Sequence, residues 1–210
     1  MTGTQLLAYT RFLIQETSAT FWTDANLLIS LNAALREWTA IIQKSDNKYY
    51  LKSAALALLA GANTAALPID CTGIVYYVQD NANDYRPMRW VPFNTIQHNL
   101  TDDPSGICLA GGYVYFNAKP SSAKSYTIFY FRTPTAIAAG STEIDFPVLH
   151  HELLAYEASY IAYIRDNHDP SILMPRRKQA MDSFMTALDE NIEGVPKFSR
   201  GSINANFDSY

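Results

Sequence analysis

The residues able to do chemistry are few, and their spacing decides against most of it. His150-His151-Glu152 is the densest group, yet the run His151-Glu152-Leu153-Leu154-Ala155 has alanine where a zinc-binding helix needs its second histidine. A metal site is therefore not expected, and the two histidines read as first-turn residues, one half-buried and one at the surface. His98 and His168 offer them no nearby sequence partner. Carboxylate pairs occur at Asp102-Asp103, in a turn, and Asp189-Glu190, on a polar helical end, where solvation explains both. Cys71 and Cys108 lack any CxxC or Cys/His spacing and read as free thiols, with a disulfide as the alternative. No GxSxG, P-loop or GxGxxG is present. Arg176-Arg177-Lys178 opens a helix against its dipole, and pairing with Asp166 and Asp169 just before it is the expected compensation. No cofactor is implied.

Composition narrows the classes further. The chain has 210 residues, 48% apolar content and a formal charge of -4, and its 16 basic residues are spread along the length rather than gathered for nucleic acid. A chain this long buries roughly 70% of its unfolded surface without staples. The longest apolar run, 54–61, is far short of the roughly 18 residues of a membrane span. Fourteen tyrosines and the run Phe129-Tyr130-Phe131 exceed what one small core needs. Tyrosine suits surfaces that are dry on one side and wet on the other, as in an assembly.

The elements that must carry these residues centre on 145–166, DFPVLHHELLAYEASYIAYIRD, which reads as a long, mostly buried helix. Asp145 or Phe146 can cap it and Pro147 fits its first turn. Its apolar positions leave one narrow polar stripe of Glu152, Ala155, Ser159, Ala162 and Asp166. Helices are also expected over 4–16, preceded by a threonine that can cap it, over 24–44, capped at Thr23-Asp24, and over 175–193. The outer face of 24–44 carries Asn26, Asn32 and Arg36 towards solvent. Between the helix pairs, about 49–132 reads as a β-rich insertion. A hairpin is expected over 49–70, a second pairs 73–79 with 85–90, a short helix is possible at 92–99, and 107–110 turns through Gly111-Gly112 into 113–116, followed by 125–132.

The fold class is therefore α+β: a bundle of about four helices with an inserted antiparallel β-meander, forming one domain over 1–193. Beyond it, 194–210 is expected to be a flexible, extended C-terminal arm without a period over its length.

The order of several segments resembles the phage head-to-tail adaptor proteins. Phe21-Trp22-Thr23-Asp24 leads into LLISLNAALREW; Leu67-Pro68-Ile69-Asp70 precedes a strand; GGYVYFNAKP, YTIFYFRTPT and FPVLHHELLAYEASYIAYIRDN follow. The likeness spans about residues 4 to 192. It implies a structural virion protein, made in the host cytoplasm, forming a homo-oligomeric ring, a dodecamer, between the portal protein and a tail or nozzle protein. DNA passes through the channel, and no membrane is involved. The resemblance also implies a C-terminal extension docking on the portal, for which Phe198, Arg200, Phe207 and Tyr210 are the candidate anchors. Some relatives are credited with cell-wall hydrolysis, but no residue here matches that activity, so no enzyme is expected. The alternatives are a small cell-wall or glycan hydrolase using Glu152, Asp102 or Asp103, and a tail-fibre or receptor-binding module, which would more naturally be trimeric and all-β.

Overall fold

The computed structural model describes residues 1–16, 21–45, 47–83, 85–96 and 102–193, with the backbone alone over 190–193. It divides into two compact units, Met1–Asn47 with Pro134–Tyr210, and Lys48–Thr133. The fold is α+β, with four α-helices and two largely antiparallel sheets among the described residues.

The first unit is helical: α1 (Gly3–Leu13), α2 (Asp24–Lys44), α3 (His151–Arg165) and α4 (Met174–Glu193). Helix α1 starts one residue earlier than expected, and the threonine that precedes it, Thr2, is its cap. The Thr2 hydroxyl accepts from Gln5 N at 3.2 Å, while the Gln5 side chain accepts from Thr2 N at 2.9 Å, forming a capping box. Thr4 instead donates to the Ala139 carbonyl. Gly3 is buried where a Cβ would lie 2.0 Å from the Ala138 carbonyl oxygen, so the start of α1 requires glycine for close approach. Helix α2 has the expected bounds and its Thr23 cap.

Helix α3 departs from expectation in two ways. After Pro147 the chain makes a 3-10 turn, Val148–His150, and the α-helix begins only at His151. The cap position of the α-helix is His150, and the Asp145 carboxylate accepts from Thr135 N at 2.8 Å. The expected polar stripe is also inverted, since Ala155, Ser159 and Ala162 are buried while Ile164 and Leu149 are exposed. Helix α3 packs against α1, α2 and α4. Small side chains let helices approach closely, so they mark the contact faces rather than the solvent face. Asn32, assigned to solvent from the pattern, holds the loop before α3 by donating to the Ile137 carbonyl at 2.9 Å and accepting from its N–H at 2.8 Å.

The second unit contains β1 (Leu51–Leu58), β2 (Thr64–Ala66), β3 (Cys71–Asp80), β4 (Arg86–Pro87), β5 (Arg89–Trp90), β6 (Gly106–Ala110), β7 (Tyr113–Phe116) and β8 (Lys124–Arg132). The sheets are ordered β1-β8-β3-β4 and β2-β7-β6-β5, which is not a meander. The hairpin expected over 49–70 does not form, because β1 pairs along its whole length with β8. The strand expected over 85–90 is split: Arg86–Pro87 joins β3, whereas Arg89–Trp90 lies parallel to β6. Pro87 has no N–H to continue a ladder, and Met88 between the two strands buries its side chain in the core. The β6–β7 hairpin is as expected, with Gly111 and Gly112 at φ +56° and +83°, the paired positive values of a type I′ turn. A short 3-10 turn, Phe93–Thr95, falls within the helix expected at 92–99. Leu56, Leu58, Val78, Ile107, Val114, Phe116, Tyr126 and Ile128 form the core of this unit.

Candidate interaction surfaces

The histidine pair is occupied by the fold. His151 is buried, its Nε2 lying 2.9 Å from the Phe146 carbonyl and its Nδ1 2.9 Å from the Met1 amine. An acceptor role for Nδ1 leaves the proton on Nε2, which then donates to the carbonyl. Burial first, and the facing ammonium as well, hold this imidazole below its ordinary pKa, and it is thus set up to stay neutral. His150 is half-buried with its ring against Phe184, so both histidines lie one step deeper than their positions suggested. Glu152 is exposed. The three neighbours thus serve three environments and converge on nothing.

The other candidates are also spoken for. Asp102 accepts from Asp103 N at 2.7 Å, and Asp103 pairs with Lys124 at 3.1 Å, both on the surface. Asp189 is exposed, and the Glu190 side chain lies outside the described residues, as does His98. Cys71 and Cys108 are free, and burial pushes both thiols up, away from reactive thiolate. Among the described residues no group of His, Cys, Asp and Glu could hold a metal ion. No described helix is long and apolar enough to cross a membrane.

Within the basic triplet Arg177 finds an ionic partner, though not an expected one. Arg177 grips Glu157 of α3, while Asp166 accepts from Trp22 Nε1 at 2.5 Å and Asp169 caps Ser171. Glu157 escaped the sequence reading, although a lone carboxylate inside the apolar run Tyr156-Glu157-Ala158 is a signal for a buried partner. Asp70 was also missed as a polar hub. Its carboxylate accepts from Lys52 Nζ and from the Tyr130 hydroxyl, each at 2.7 Å, and these two bonds hold it below the usual carboxylate range.

What the described surface does offer is apolar and aromatic. In the second unit Trp90, Phe93 and Tyr113 are exposed, with Phe93 edge-on to Tyr115 at 5.2 Å. In the first, Val148 and Leu149 stand out from the 3-10 turn before α3, Leu149 91% exposed, and Phe12, Ile29 and Ile172 are exposed elsewhere. Tyrosines divide accordingly: Tyr50, Tyr126 and Tyr130 are core, whereas Tyr76, Tyr85 and Tyr113 face outward. Where such side chains form a contiguous patch they mark surfaces that meet other proteins, whereas single ones are ordinary. The arm with Phe198, Arg200, Phe207 and Tyr210 lies outside the described residues.

A family model described as SU10 adaptor protein matches residues 1–202 of the chain. No curated protein matches it.

Proposed function

Since the chain belongs to the SU10 adaptor protein family, a phage head-to-tail adaptor family, we propose that it is a structural ring subunit. It joins the portal to a tail or nozzle protein and leaves a channel for DNA, with a dodecamer as the ring in the virion. The observation that carries this reading is the extent of the match, which runs through both compact units. The outward apolar residues on each unit support it, since a connector must meet neighbours on several sides. The scattered basic residues and the charge of -4 fit a wall past which a phosphate backbone slides without being held.

A non-enzymatic role is supported by the engagement of His151, Asp102 and Asp103 in local contacts, apart from the exposed Glu152. The test is negative-stain imaging of the purified chain mixed with its portal rings. An added tier with the portal's symmetry is expected; bare portal rings at saturating protein would overturn the reading. A zymogram on cell-wall substrate separates the hydrolase alternative, and a cleared zone abolished by Glu152→Gln would establish it instead.

A further inference from the structure

The outer edge of β1 is an unprotected template. Leu51–Leu58 pairs with β8 on one side, and among the described residues no backbone hydrogen bond reaches the other. Proteins blunt such edges with proline, bulges or projecting lysines. This strand has no proline, its ladder with β8 runs without a register shift, and its one charge, Lys52, is tied to Asp70 at 2.7 Å. The β3 border of the same sheet is blunted by register shifts between Cys71 and Tyr77. The two rows of β1 also differ. Ala54, Leu56 and Leu58 point into the core, while Ser53, Ala55 and Ala57 are small and exposed. A further strand on this edge would continue the apolar row on one face and the small, exposed row on the other.

The chain contains one segment outside the described residues with that pattern. Within 203–208, Ile203, Ala205 and Phe207 alternate with Asn204, Asn206 and Asp208, the sequence pattern that suits an added strand of this kind. Residues 195–210, fully extended, reach about 50 Å. We infer that residues 203–208 of a second copy of this chain add as a strand to the free edge of β1, fastening adjacent ring subunits. Backbone hydrogen bonds supply the register-independent attraction, and Ile203 and Phe207 extend the Leu56 and Leu58 row. The inference rests on the ring reading for its neighbouring copies. It redirects the distal arm, including Phe207, from the portal to the adjacent subunit.

The test compares the full chain with an Ile203→Asp, Phe207→Asp variant, each sedimented with portal rings and followed by hydrogen exchange. In the full chain on the portal, those Leu51–Leu58 amides that face away from β8 should exchange about tenfold or more slowly than in the free chain, and in the bound variant they should return to the free rate. Equal β1 exchange in both bound chains would overturn the inference while leaving the ring reading intact. So would protection of 203–208 with β1 still exchanging freely, which would place the segment in the portal. If neither chain sediments with the portal, the ring reading fails, and the inference is then decided on concentrated full chain alone. There, copies bearing Ala57→Cys and differently tagged copies bearing Asn206→Cys, all in a Cys71→Ser background, are oxidised together. A disulfide between the two kinds of copy supports the inference, and its absence overturns it.

Discussion

Arg177 and Glu157, twenty positions apart, meet as a two-pronged pair: Nε and Nη2 of the guanidinium each donate to one carboxylate oxygen at 2.9 Å. Glu157 is 4% exposed on α3, and the same guanidinium lies over the Tyr160 ring with its carbon 4.2 Å from the centroid. The fork geometry is one that lysine cannot reproduce. Among the described residues this pair is a polar link between α4 and α3.

Removing one partner leaves a buried charge, so Arg177→Met should destabilise by about 3 kcal/mol, the low end for a broken buried pair because the arginine is partly accessible. The double variant Glu157→Met, Arg177→Met should lose much less than the sum of its singles. Urea unfolding of the four chains measures this; strict additivity would show that the pair is not coupled.

Burial separates two leucines on the two sides of the α3 start. Leu154 is fully buried, and its replacement by alanine should cost about 2–5 kcal/mol, whereas Leu149→Ala should stay within about 0.5 kcal/mol. Ile161, half-exposed, should fall between them. Thermal melts rank the three, and a Leu149 effect as large as that of Leu154 would contradict the placement of the helix start at His151.

His151 links stability to pH. Burial places its folded-state pKa below the value near 6.5 expected of the unfolded chain, so the unfolded chain takes up the proton first as pH falls. The stabilising contribution is complete above about pH 6.5 and is lost as pH falls towards the lower folded value. His150, also lowered by burial, acts in the same direction. Denaturation midpoints should therefore drop between pH 7.5 and pH 5, and His151→Gln should flatten that slope; an unchanged slope in the variant would remove His151 from the account.

The purified chain should be monomeric or weakly associated, because no long heptad supplies a strong self-interface and a ring partner would be fixed by the portal template. Light scattering across concentrations checks this. A stable ring without portal would show that the subunit contacts suffice by themselves.

Local chemistry was legible in the sequence. Thr23 followed by regularly spaced Leu27, Leu31, Ala34, Leu35 and Trp38 specifies α2 without reference to anything distant, and Gly111-Gly112 specifies its hairpin because only such residues accept two positive φ values cheaply. The segment order was enough to suggest the adaptor family that the match over 1–202 then showed. What needed the tertiary structure was every choice between competing partners. Thr2 and Thr4 could each cap α1, and the choice fell where Gln5 could return the bond. Residues 51–58 could pair with a near strand or a far one, and β8 offered eight consecutive partners. Ala155, Ser159 and Ala162 read as a weak, solvated stripe by hydropathy, yet their small size made them the contact face, since hydropathy ranks side chains by transfer and helix packing selects them by volume.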